Sequence, residues 1–349
     1  MFDVVTLGSA TQDVFVKTDA ARIFSTRGPE SRSEYLGLPY GAKVNVSEVL
    51  FMTGGGATNA AVCLARQGLK AGIVAPVGKD DAGANIRARL QEDKVDTSLL
   101  IELADYGTGY SVILTSFEGD RTVLVFRGAS DHVEPQHLDL TGLARTRWLY
   151  VSSLGASGAK VFTPLFAAAR KAGVRIAFNP GGSTVEQGIA KAADLLQGLD
   201  VLLVNREEAL AFQGRDTTMR RAAPEAEDAL YTELLKGFQA AGVKLPVITD
   251  GFRGSYALSG KDRVRCPAHP VEKVVSTLGA GDAFGSTLVA GLVRYGDAEL
   301  AKAMREASIN ASSVVSVFGA KRGLLDLAEL QKRATVPPTA ETAPRVTQV

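Results

Sequence analysis

Six short, almost uninterrupted apolar runs punctuate the chain: FDVVTLG (2–8), AGIVAPVG (71–78), RWLYVSS (147–153), VRIAFNP (174–180), DVLLVN (200–205) and LPVITDG (245–251). A strand that is apolar on both sides must be covered on both faces, the condition met by a parallel sheet between two layers of helices. The intervening sequence supplies such helices, with amphipathic patterns over 58–67, 82–92, 160–172, 225–241 and 299–317. This βαβα rhythm predicts an α/β fold, a doubly wound and mostly parallel central sheet with helices on both faces.

Two segments depart from the rhythm. Residues 35–52 and 109–126 alternate apolar and polar side chains with period two, and the second turns at Glu118-Gly119-Asp120 in the manner of a hairpin. Together they predict a small antiparallel β lid, in segments about 13–52 and 105–128, serving as a cover or as a dimer surface. The main body is expected to be one unit over 1–336. Residues 337–349 (PPTAETAPRVTQV) have no periodicity and read as a disordered tail.

Charge excludes several classes of partner. Thirty-nine basic residues oppose 38 acidic ones, a net charge of +1, so there is no signature of a nucleic-acid surface and the partner is expected to be a small molecule. The two cysteines, Cys63 and Cys266, form no CxxC or Cys/His cluster, which speaks against a disulfide framework or structural zinc and for a cytoplasmic setting. The start MFDVVTLGS reads as a buried strand rather than a signal peptide, and no stretch reads as a membrane span. Trp148 and the three histidines, His132, His137 and His269, carry no ligand spacing and are read as structural.

The sharpest chemical feature is STLGAGDAFGSTLVAGL, residues 276–292. Gly279, Ala280 and Gly281 precede a helix, so their amides can point outward together and form an anion hole at the positive end of the helix dipole. Asp282 beside such a guest suits a general base that takes a proton from an attacking hydroxyl. The same letters satisfy GxGxxxG, but a dinucleotide loop belongs after the first strand, and no GxxxxGK[ST] run occurs. A tight helix entry capped by Asp282 is the structural alternative.

Four other motifs accompany it. GGGATNAA (54–61) opens a helix: Gly55 lets backbone approach a ligand, and Asn59 either contacts vicinal hydroxyls of a polyol or faces solvent. Asn205 and Glu208 have the spacing of a capping box, and Glu208 can also hold Mg²⁺ through water. Asp13 follows the first strand, where open α/β sheets bind ligands, and reads as an acceptor for substrate hydroxyls or as an Asx turn. Thr249, Gly251 and Gly254 bracket a turn against which a flat base can lie.

Taken in order, GGGATN, NREE, TDGFRG and STLGAGDAFGS resemble the motifs of the ribokinase-like, PfkB-type carbohydrate kinases over about residues 2–333. The resemblance implies a ribokinase-like fold, ATP and Mg²⁺, and a sugar or nucleoside substrate phosphorylated on a hydroxymethyl group. It implies Asp282 as base, with Gly279, Ala280 and Gly281 as the anion hole. It places substrate at Asp13, Gly55 and Asn59, metal and phosphates at Asn205 and Glu208, and the nucleotide at Thr249, Gly251 and Gly254, with Asn310 near the adenine. GAKRGLL (319–325) resembles the loop that closes over the nucleotide. Gly56 stands where ribokinase itself has Lys. Ser276 and Gly323 stand where many members have Asp and Ser at a monovalent-cation loop, which leaves potassium dependence open. A nucleoside kinase is the rival substrate reading, favoured if Tyr40, Phe51 or Tyr110 line the lid, while a phosphosugar would call on Lys43, Arg121 or Arg127. A non-catalytic sugar-binding relative, or a homodimer formed through the lid, is also compatible.

Overall fold

The computed structural model describes residues 1–27, 32–115, 121–219, 221–339 and 341–349. The expected turn at 118–120 lies outside the described residues.

All six apolar runs are strands, and they pair side by side. The parallel part of the central sheet comprises β1 (Phe2–Leu7), β6 (Ala71–Val74), β11 (Thr146–Val151), β12 (Arg175–Phe178), β13 (Val201–Asn205) and β14 (Leu245–Thr249). Antiparallel β15 (Ser255–Ser259), β16 (Asp262–Cys266) and β17 (Arg345–Gln348) extend it, giving the order β17-β16-β15-β14-β13-β12-β11-β1-β6. The C-terminal segment is therefore corrected: it is not structureless throughout, because residues 345–348 pair with β16. All four of those residues are exposed, so this edge strand carries no apolar alternation by which sequence could reveal it.

The period-two rule explains the double winding. On β1, Val5 and Leu7 join one core while Val4 joins the other; on β11, Leu149 and Val151 separate from Trp148 and Tyr150 in the same way. One face is filled by Phe162 and Phe166 from the helix Gly158–Lys171 and by Tyr231, Leu235 and Phe238 from the helix Pro224–Ala240. The opposite face takes Leu64 from the helix Gly56–Arg66, Leu288 and Val289 from Ala280–Tyr295, and Met304 from Leu300–Val315.

A second sheet, in the order β10-β9-β2-β5, is separate from the central one. It is built from β2 (Thr11–Lys17), β5 (Glu48–Gly54), β9 (Gly109–Thr115) and β10 (Arg121–Phe126). Two-stranded pieces β3 (Arg22–Arg27) with β4 (Arg32–Gly37), and β7 (Pro76–Gly78) with β8 (Ile101–Leu103), complete the strands of the described residues. The lid is thus mixed rather than purely antiparallel, since β2 and β9 run parallel. Among the described residues no helix is long and apolar enough to cross a membrane.

Candidate active site

Parallel strands deliver their loops to one edge of the sheet, and two clefts open there. The smaller, about 250 Å³, is lined by Ser9, Asp13, Gly55, Asn59, Ser111, Val125, Arg127, Ser130, Leu278 and Asp282, among others. The larger, about 450 Å³, is lined by Thr249, Gly251, Phe252, Gly254, Ser255, Ala280, Gly281 and Phe284, among others. They meet at the first turn of the helix Ala280–Tyr295, where Ala280 and Gly281 face one cleft and Asp282 the other.

That turn exposes backbone amides at a helix N-terminus. Gly279 precedes the helix with φ 80°, a left-handed conformation, and a Cβ there would lie 2.5 Å from Cβ of Ala320, so only glycine fits. The Ala283 amide is the first to donate within the helix, to the Gly279 carbonyl at 2.9 Å, which leaves the Gly281 and Asp282 amides without a partner in the helix; the Ala280 amide, expected in the anion hole with those of Gly279 and Gly281, is instead turned to the Thr277 carbonyl at 3.4 Å. Gly281 has open space where a side chain would sit, so a ligand can reach the backbone.

Asn59 does not face solvent. It is buried, and its Nδ2 donates to Oδ2 of Asp282 at 2.8 Å, fixing the carboxylate, while its Oδ1 is buried without a hydrogen-bond partner. Burial lifts the Asp282 carboxyl from its ordinary 3.8 to about 6, against the lowering effects of the Asn59 amide and the Lys321 charge. A carboxylate with that value is mostly ionised at neutral pH yet retains appetite for a proton. Gly55, at φ 96°, brings the chain so near Ser9 that a Cβ would fall 2.4 Å from its carbonyl oxygen.

Asp13 arrives from the lid. The register pairs it with Met52 on β5 and Ser111 on β9, and Ser111 pairs with Val125 on β10, so this row of side chains shares the face turned toward the cleft. Asp13 is buried, takes a 2.8 Å hydrogen bond from the Thr11 hydroxyl, and is pushed up by burial.

Lys321 was missed by the sequence reading, although its loop was singled out. Its Nζ donates to the Thr53 carbonyl (2.6 Å), the Thr53 hydroxyl (3.0 Å) and the Thr58 hydroxyl (2.8 Å), tying residues 319–325 to the lid hinge and to the helix Gly56–Arg66. Burial draws its ammonium down from 10.5 to about 7, and the charges of Asp13 and Asp282 oppose that fall. A lysine's aim into a distant hinge leaves no local pattern in a sequence.

Asn205 and Glu208 form the expected capping box: the Glu208 amide donates to Oδ1 of Asn205 at 2.8 Å, and the Asn205 amide to Oε2 of Glu208 at 2.9 Å. Burial raises the Glu208 carboxyl. Register places Asn205 opposite Thr249, so this cap lies beside the turn that lines the larger cleft. A buried network binds the two elements. Arg206 pairs with Glu227 through two contacts of 3.3 Å, Tyr231 donates to Asp250 at 2.5 Å, and Arg221 grips Asp250 at 2.5 and 2.6 Å.

The clefts can be tested against the expected cofactors. The larger joins apolar walls to one buried, unpartnered hydroxyl, Ser255 Oγ, which fits a flat heterocycle. The described residues contain no group of three or more His, Cys, Asp or Glu placed to hold a metal ion. Glu208 alone suits Mg²⁺, an ion that keeps most of its water and is held chiefly by phosphates.

One expectation changes, and the open candidates sort themselves. Asn310 does not approach the larger cleft: it is fully buried, its Nδ2 donating to Thr287 at 2.7 Å and its Oδ1 accepting from the Leu325 amide. It knits helices together instead. Tyr40, Phe51 and Tyr110 do not line the smaller cleft, and of Lys43 and Arg127 only Arg127 does; nothing is described of the Arg121 side chain. Gly56 has its would-be Cβ 2.7 Å from Ser152 Oγ, so a larger residue would not fit there unchanged.

A model of the pfkB family of carbohydrate kinases matches residues 25–326. The aminoimidazole riboside kinase of Salmonella typhimurium is 29% identical over 312 residues, covering 85% of this chain and 88% of its own length. Among solved structures, Arabidopsis thaliana ribokinase complexed with ribose and ATP superposes with a TM-score of 0.79 at 21% identity, covering 96% of this chain and 99% of that one. A ribokinase-like protein of E. coli solved with ATP and Mg²⁺ gives 0.75 at 21% identity, covering 95% and 98%.

Proposed function

The chain belongs to the pfkB family of carbohydrate kinases, and from that premise we propose that it transfers the γ-phosphoryl group of ATP to a hydroxymethyl group of a monosaccharide-like substrate, with Asp282 as general base. One observation carries the reading: a single helix turn lines both clefts, presenting orphan amides to one and a carboxylate to the other.

The substrate hydroxyl gives its proton to Asp282 as its oxygen bonds the γ-phosphorus and the bond to the β-phosphate oxygen breaks. Asn59 holds the carboxylate in place, and its free Oδ1, together with Asp13, accepts from the other hydroxyls. The amides of Gly281 and Asp282 meet charge that grows on the transferred group. Thr249, Gly251 and Gly254 would seat the nucleotide base, and Asn205 and Glu208 would hold Mg²⁺ and its waters. When bound, that ion neutralises phosphate charge.

A cleft of about 250 Å³, bare of aromatic rings among the described residues, supports a monosaccharide over a nucleoside. We further take residues 1–336 as one catalytic unit, the outer face of the lid as a homodimer contact, and the cytoplasm as its location; the two cysteines are free and buried. The test is ATP consumption with Mg²⁺ across pentoses, hexoses and nucleosides, Asp282→Asn beside the parent. Substrate-stimulated turnover lost by about 10²–10⁴-fold in the variant is the expected result; equal turnover in both would sink the assignment.

A further inference from the structure

Two groups at one end of the smaller cleft have no use in the reaction just described. Arg127 lines it, is exposed, and makes no side-chain hydrogen bond or ion pair among the described residues. Asp131, the acid in the same turn, accepts from the Ala156 amide at 2.8 Å. Ser130 also lines the cleft; it is 3% exposed, and its Oγ is buried with no partner. A buried hydroxyl left unbonded is costly, so its presence implies a group it meets when the cleft fills.

The distribution of charge tells which group. Asp13 and Asp282 are acceptors for hydroxyls and repel anions, whereas Arg127, together with Ser130, offers donors. The lid register extends this asymmetry: the cleft-facing row runs from Asp13 through Ser111 to Val125, two residues before Arg127. A substrate that bears one negative group can enter in a single sense, with that group at Arg127 and its hydroxyls at Asp13 and Asn59.

Resting on the kinase reading above, we infer that Arg127 and Ser130 form an anion subsite, and that the substrate is a sugar carrying a carboxylate or phosphate remote from the hydroxymethyl group that reacts. A guanidinium can meet either group with paired hydrogen bonds, so both sources share this chemistry.

Steady-state kinetics with saturating MgATP on a neutral ketohexose, its 6-phosphate and an aldonic acid of similar length separate the cases. The expected outcome is a preference of at least tenfold in kcat/KM for one anionic member, and which of the two wins identifies the source. Arg127→Met should raise KM for that member by about ten- to a hundredfold, the range of one charge-assisted hydrogen bond or pair. Arg127→Lys should restore part of the loss, and Ser130→Ala should cost several-fold. A thermal melt checks that each variant is folded. If the neutral sugar is the best substrate and Arg127→Met narrows no preference, the subsite is overturned while the kinase reading stands. If no member is turned over by the parent protein or its turnover survives Asp282→Asn, the kinase reading falls and takes the subsite with it.

Discussion

At neutral pH the Asp282 carboxylate is charged in a place that resists charge, and this couples catalysis to stability. Its folded value of about 6 lies above the ordinary 3.8, so between those values the folded state holds more protons than the unfolded state. Stability therefore falls as pH rises from about 4 to about 6 and is level beyond, as far as this group is concerned. Asp282→Asn removes the cost, so the variant should melt higher than the parent at pH 7, with the gap closing toward pH 4 in scanning calorimetry. The opposite ordering at pH 7 would contradict a strained carboxylate. Activity runs the other way: kcat/KM should fall about tenfold per pH unit below 6 as the base is protonated. Lys321 tunes that limb, since its charge favours the ionised form of Asp282. Lys321→Met should move the acid limb to higher pH, a readout that loosening of the hinge alone would not change. An unmoved limb with reduced kcat would reassign Lys321 to holding the loop.

Between elements, the coupling to watch runs from the cap Asn205–Glu208 to the turn at Thr249. Arg206 is 2% exposed, and its guanidinium is matched by Glu227, which also accepts from the Ala222 amide. Removing one partner of such a pair leaves a buried charge uncompensated, which costs about 3–5 kcal/mol, whereas removing both is far milder. Arg206→Met should thus lower unfolding free energy in urea by about 3 kcal/mol and raise KM for ATP, and adding Glu227→Met should recover much of the stability. Recovery of stability without recovery of KM would show the network positions the nucleotide turn, beyond holding the fold. Failure of the double variant to recover either would refute a pairwise role.

Across the whole molecule, what was legible in the sequence was what consecutive residues determine. The six parallel strands, the helix entries and the run from Gly279 to Asp282 each lie in a single stretch, so local pattern and glycine chemistry suffice. Ser130 and Lys321 reach the site through lid register and the docking of a distant loop, which also single out Arg127 from the cations the sequence offered, and Asn310, placed near the adenine by resemblance alone, has no local signal that tells a cleft-facing helix position from a buried one. The two faces of the lid belong to the same class of long-range facts. Register aligns Phe51 with Val14, Val112 and Leu124 on the side opposite Asp13, Ser111 and Val125. On that outer side Val49, Phe51, Leu124 and Phe126 are 42%, 67%, 55% and 58% exposed, and β5 and β10 form the open edges of the sheet. An apolar face with unpaired edges is a poor surface to leave in water, and a second copy of the same lid would cover it with matching chemistry. The parent protein should sediment as a dimer at micromolar concentration, and Phe51→Glu with Leu124→Glu as a monomer. Because the covered face is the back of the sheet that carries Asp13 and Ser111, separation of the copies should also raise KM for the acceptor substrate while leaving KM for ATP nearly constant. A parent that sediments as a monomer would remove the dimer contact and leave the apolar face to a different partner.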